Sequence, residues 1–155
     1  ARPLSDAMKL LLDAMLGTLA TYLRMCGHDA AYALDRDVEA DDSVLELARA
    51  ENRLLVTRDA ALAARAGDRG LPVGSKDVTE QLRELRAAGV DLSLPGRPTR
   101  CGSCNGVLDP VPPDGATPAY APAPADTDCY RCRDCGQVFW RGSHWDDVRE
   151  RLASL

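Results

Sequence analysis

The sequence predicts an α/β fold, a parallel sheet flanked by helices, with a four-cysteine zinc ribbon behind it. Two observations predict the α/β part. Short apolar runs alternate with stretches of helical spacing across residues 8–89, and that alternation packs as parallel strands covered by helices on both faces. Capping residues and glycines fall where those stretches begin and end. The ribbon is predicted by two CxxC pairs late in the chain, Cys101/Cys104 and Cys132/Cys135.

Residues 8–13, MKLLLD, read as a short buried strand ending in an acid. Met15, Leu16, Leu19, Ala20, Leu23 and Met25 have helical spacing, and Gly27 suits the position after the helix. AAYAL at 30–34 is strand-like, and the acidic loop DRDVEADD follows. Ser43 and Glu46 match a capping box opening the helix SVLELARAEN. RLLVT at 53–57 is a second buried strand, after which Asp59 caps an Ala-rich helix at 60–66 closed by Gly67. LPVG at 71–74 is a further strand, and Asp77 precedes the helix VTEQLRELRAAG, ended by Gly89. SLPGRPT at 93–99 reads as a linker, the Pro/Ala-rich stretch 110–126 as a flexible insertion in the ribbon, and 144–155 as a C-terminal helix. The expected division is therefore 1–96 for the α/β domain and 97–155 for the ribbon plus helix.

With 155 residues, 45% of them hydrophobic and 28% charged, the chain can form a real core and is not a disordered polyelectrolyte. No apolar run is long enough to span a bilayer. The stretch Met8 to Met25 is interrupted by Lys9, Asp13, Gly17 and Arg24, and lacks the features of a signal peptide. The chain opens on Ala1, which leaves room for an upstream domain. Five of the six cysteines follow residue 100; without a secretory signal, that clustering favours a metal site in a reducing, cytoplasmic setting over disulfides. The net charge of −5 argues against nucleic-acid binding by charge alone. The excess lies in residues 1–96, with 12 Lys/Arg against 16 Asp/Glu, and bound cations would offset it.

Ligand sites of open parallel sheets lie beyond the carboxyl ends of the strands. Asp13, Asp59 and Asp77 fall there, and Asp42, where a helix begins, is placed to face the same crevice. Gathered carboxylates repel one another, and Mg²⁺ or Mn²⁺ relieves that cost while presenting a phosphate to water. Each acid has a plainer reading: Asp59 and Asp77 as helix caps, Asp42 beside Asp41 as part of a solvated loop. Asp13, directly after an apolar strand, resists such a reading most.

Zinc takes four ligands in a tetrahedron, and each CxxC turn supplies two thiolates. Cys129 also forms a CxxC with Cys132, but Gly136 follows Cys135, and Asn105 and Gly106 follow Cys104; these accept the left-handed turn that ends a knuckle. Tyr130 after Cys129 does not. Cys26 reads as a small core residue. A closed four-thiolate site is structural. Trp140 and Trp145 either stack on bases, with Arg141 and His144 at phosphate, or pack the ribbon onto the α/β domain; the small core of a ribbon favours packing.

The segments LLLDAMLGTLATYLRMCGHDA, DDSVLELARAENRLLVTRD, SKD, CGSC, CRDCG and WRGSHW resemble the Mut-seven C-terminal RNase family, from Met8 to about Trp145. The resemblance implies a PIN-like nuclease domain with a zinc ribbon, binding Mg²⁺ or Mn²⁺ and hydrolysing RNA. Its acids would be Asp13, Asp59 and Asp77, with Asp42 the loosest match because Asp41 and Glu46 lie near. Arg24, Arg58 and Lys76 are candidates to hold phosphate. Two rivals stand beside this expectation: a non-catalytic RNA- or protein-binding module using the ribbon, and a receiver- or phosphatase-like domain with Asp13 or Asp59 as phosphoacceptor. The second is disfavoured because no acid stands two residues after Asp13.

Overall fold

The computed structural model describes residues 7–155, so the first six residues of the expected α/β domain lie outside it. The first half runs β1 (Lys9–Leu12), α1 (Gly17–Met25), β2 (Asp29–Tyr32), α2 (Asp41–Ala50), β3 (Leu54–Thr57), α3 (Ala60–Ala66), β4 (Gly70–Pro72) and α4 (Val78–Ala87). The strands form one parallel sheet in the order β2-β1-β3-β4. The fold class and the order of elements are those the sequence predicts.

The sheet is buried on both faces, as parallel sheets generally are. Leu10 and Leu12 of β1 join Leu16 just before α1, Leu19 and Leu23 of α1, and Leu82 and Leu85 of α4 on one side. Leu11 points the other way, toward Val44 and Ala48 of α2 and Leu62 of α3. The alternation follows from the period of two along a strand. Each of these fully buried leucines contributes on the order of 1.5–3 kcal/mol.

Some boundaries differ from the sequence reading. The second strand ends at Tyr32 and passes into a 3-10 turn at Ala33–Arg36, which takes up most of the residues expected to extend it. Ser43 is not the cap of α2: the helical bonding begins with the Val44 amide donating to the Ala40 carbonyl at 2.9 Å, and Ala40 is the N-cap. Asp41 and Asp42 then occupy the first turn, where carboxylates meet the positive end of the helix dipole. Asp59 and Asp77 are caps, as their plainer reading held.

The second half forms a three-stranded antiparallel sheet, β5 (Leu108–Pro110), β6 (Cys129–Cys132) and β7 (Val138–Trp140), followed by α5 (Ser143–Ala153). Val148 and Leu152 of α5 lie in the same core cluster as α1 and α4. The Pro/Ala-rich insertion has no regular element, yet it folds back on the ribbon. Tyr120 stacks on Trp140 with centroids 6.3 Å apart and 26° between the planes, and its hydroxyl accepts from the Val138 amide at 3.0 Å.

A polar joint fastens the first cysteine knuckle to the sheet edge. The Asn105 side chain accepts from the Ala30 amide (2.9 Å) and donates to Asp29 Oδ1 (2.7 Å). Arg53, nearly buried, donates to that same oxygen at 2.7 Å, to the Leu10 and Asp29 carbonyls, and to Glu51. Burial opposes ionisation of Asp29, but hydrogen bonds from Arg53 and Asn105 outweigh it and hold the carboxyl below its usual range. Asp29→Asn removes one of the two carboxylates that pair with the Arg53 guanidinium, Glu51 being the other, and the expected cost is about 1.5–3 kcal/mol in chemical denaturation. An unchanged denaturation midpoint would show that the joint is not stabilising.

Glu51 accepts from Arg36 and Arg53, and these bonds hold it at about 2, against an ordinary 4.5. Both Asp29 and Glu51 are depressed by folding. Their contribution is complete above the ordinary carboxylate range and is lost as pH falls from about 4.5 toward 2. Urea midpoints measured through that window should drop, and drop less steeply for Glu51→Gln; parallel profiles would contradict the assignment.

Candidate active site and thiolate cluster

The strand order places the topological switch point between β1 and β3. The chain leaves β1 outward to β2, then returns across it to β3, and the carboxyl ends of these two central strands define the crevice. Asp13 sits there. Its amide donates to the Val56 carbonyl at 2.9 Å, extending the ladder by one residue. Oδ1 accepts from the Ala14 amide at 2.8 Å, and Oδ2 accepts from Thr57 Oγ1 at 2.7 Å. The Thr57 hydroxyl in turn accepts from the Asp59 amide at 3.0 Å. A hydroxyl has one proton, so this arrangement commits it to Asp13. Thr57 is fully buried and its rotamer is set from both sides. Met15, with φ of 74° and 80% exposed, makes the left-handed turn between Asp13 and α1.

Asp59 caps α3: Oδ1 accepts from the Ala61 and Leu62 amides at 3.0 and 3.1 Å. The backbone of Thr57 and Asp59 thus brings the two acids to one edge, with Thr57 joining them. Asp77 lies beyond β4 and accepts through Oδ2 from the Glu80 amide at 3.1 Å. Asp42 is directed elsewhere, into a 2.5 Å ion pair with Arg65, six residues past Asp59 on α3. Among the described residues, no three carboxylates come within 4.8 Å of one another; the four cysteines alone do.

Of the expected phosphate-binding cations, Arg24 is buried, donating to the Ala30 carbonyl (2.8 Å) and the Gly102 carbonyl (3.0 Å). It clamps α1 to β2 and to the first knuckle. Burial lowers its pKa, against the opposing charge of Asp35 and the nearby thiols. Arg141 donates to the Gly96 carbonyl at 3.1 Å, on the linker. Arg58 lies between Thr57 and Asp59, and its buried Nε has no acceptor among the described residues. Lys76 is exposed, one residue before Asp77. Thr57 is the residue sequence reasoning missed; its signal was a hydroxyl two places before a capping acid at a strand end.

The Sγ atoms of Cys101, Cys104, Cys132 and Cys135 all lie within 4.8 Å, with Cys101–Cys135 at 3.7 Å and Cys104–Cys132 at 3.5 Å. Four sulfurs about 2.3 Å from a central zinc would stand about 3.8 Å apart, so the set fits such an ion. Gly136 and Asn105 take positive φ, 80° and 72°, ending the two knuckles. Cys129 stands apart, its thiol near the Thr127 and Pro122 carbonyls. Burial opposes ionisation of Cys132, but the Cys135 and Asp134 amides and neighbouring thiols bring it to about 7. Burial and the adjoining sulfurs push Cys104 up to about 12. Ionised together, four thiolates this close would need a cation between them.

A parallel α/β body with a fixed acid at its switch point, joined to a four-thiolate ribbon, is the class of protein these features define. The chain belongs to the Mut7-C RNAse domain family, whose model matches residues 8–152, nearly the whole chain. That membership supports a nuclease-like function. No curated protein and no solved structure matches the chain. No helix among the described residues is long and apolar enough to cross a membrane.

Proposed function

We propose that the protein is a metal-dependent ribonuclease that hydrolyses RNA phosphodiester bonds at the carboxyl edge of β1 and β3. The observation that carries this reading is the Asp13–Thr57–Asp59 chain of hydrogen bonds at the switch point of a Mut7-C RNAse domain. Asp13 uses two of about four acceptor positions within the protein, which leaves oxygen lone pairs for a cation. Asp59 keeps Oδ2 for the same purpose, since its cap uses Oδ1. Hard carboxylate oxygens suit Mg²⁺ or Mn²⁺. Such an ion, when bound, supplies charge neutralisation at the phosphate and activates the attacking water.

The protein's own groups do the positioning. Thr57 fixes the Asp13 carboxylate, and the α3 amides fix Asp59. Arg58 and Lys76 flank the edge as phosphate contacts. Asp77 and Asp42 complete the donor set around bound substrate, Asp42 by exchanging its Arg65 partner. Residues 1–96 form the nuclease domain; residues 97–155, with zinc at Cys101, Cys104, Cys132 and Cys135, brace it through α5 and the Asn105 joint. Incubation of zinc-loaded protein with labelled single-stranded RNA should give cleavage with Mn²⁺ or Mg²⁺ and none when these are withheld. Cleavage that proceeds unchanged without them would remove the metal mechanism.

A further inference from the structure

A cavity of about 710 Å³ lies between α1, the ribbon and the start of α5. The chain has seven aromatic residues, two Trp, four Tyr and one Phe, and five of them line this space: Tyr32, Tyr120, Phe139, Trp140 and Trp145. The site described above does not use them. The size is that of a small-molecule or nucleotide pocket. Aromatic walls alone would suit any flat apolar group; three further features narrow the choice.

The first is a buried donor without an acceptor. Trp145 lines the cavity and is 4% exposed, yet its Nε1–H has no partner among the described residues. A buried N–H left in this state is costly, and a seated ligand with a carbonyl or ring-nitrogen acceptor relieves it. The second is a prepared stacking surface. The Tyr120 ring is fixed by its bond to the Val138 amide and by Trp140, while remaining 57% exposed. The third is charge. Arg24 and Arg100 line the cavity but are engaged by Asp35 and Asp29, whereas α5 begins there without a side-chain cap, so its first amides face an anion favourably. Flat ring, acceptor edge and anionic group together describe a nucleotide.

The cavity reaches the carboxyl end of β2 and the start of α1. Tyr32 pairs in register with Leu12, the residue before Asp13, and Gly17 opens α1 four residues after Asp13. We propose that this cleft binds one nucleotide of a single-stranded RNA whose neighbouring phosphodiester lies at Asp13. The base stacks on the Tyr120–Trp140 face and accepts from Trp145. The link to cleavage rests on the proposed function; the binding site itself does not.

Fluorescence anisotropy of a labelled single-stranded RNA hexanucleotide, titrated with zinc-loaded protein and no added Mg²⁺ or Mn²⁺, tests the cleft. Tyr120→Ala should weaken binding at least about tenfold, in line with the loss of one base–aromatic stack. Trp145→Phe, which keeps the packed ring and removes the N–H, should weaken it about fivefold. Equal affinity of the parent and either aromatic variant, or no binding by the parent, overturns the cleft. Tyr120-dependent binding with no cleavage once Mn²⁺ is added would leave the cleft standing and remove the nuclease reading instead.

Discussion

Cys132→Ser is expected to bring zinc from about one ion per chain to near none and to unfold the ribbon sheet. Cys132 is buried at the centre of the ribbon, in one cluster with Cys101, Leu108 and Tyr130. Burial opposes its ionisation, but the Cys135 and Asp134 amides and the neighbouring thiols bring it to about 7. A serine there offers a weaker, harder ligand. The damage should spread, because the first knuckle holds Ala30 and Asp29 through Asn105, and Gly102 receives Arg24. Cys129→Ser is the contrast: its thiol faces backbone carbonyls, and zinc content should stay unchanged. Protons compete with the cation for thiolate, so zinc retention should also fall as the solution is made acidic. Zinc analysis and near-ultraviolet circular dichroism on both variants check this. Loss of zinc in Cys129→Ser with retention in Cys132→Ser would invert the assignment.

Asp13→Asn is expected to lower metal-dependent RNA cleavage by about 10²–10³-fold. The fold should tolerate the change. An asparagine oxygen still accepts from Ala14, and its amide donates to Thr57, whose hydroxyl has a second lone pair beside the one used by Asp59. The Thr57 hydroxyl proton loses its acceptor, so stability should fall by about 1–3 kcal/mol. What is lost is the negative charge that holds the cation. Thr57→Val removes no charge but frees the Asp13 carboxylate to rotate; a smaller fall, about 10–100-fold, follows from loss of orientation.

The elements that position this site were legible because they obey local rules. Apolar period separated strands from helices, and the end of KLLL marked Asp13. Asn105 and Gly136 distinguished the true knuckles from the overlapping Cys129 pair, since only residues tolerant of positive φ fit there. The clamp role of Arg24 had a local signal, its place four residues after the buried Ala20 on the apolar stripe of α1. Thr57 and the Arg53–Asp29–Asn105 joint were not legible. Each depends on partners brought together across the chain, 44 residues apart for Thr57 and Asp13 and 76 for Asn105 and Asp29. The Pro/Ala-rich insertion reads as loose chain by composition; Tyr120, a lone ring in that run, is what ties it to Trp140.

The most direct test compares wild-type protein and Asp13→Asn, matched for zinc content and both folded at the assay temperature, on the same labelled single-stranded RNA with Mn²⁺ present. Cleavage by the wild type and its loss in the variant is the predicted result. An Asp13→Asn protein that cuts as fast as the wild type would contradict the account.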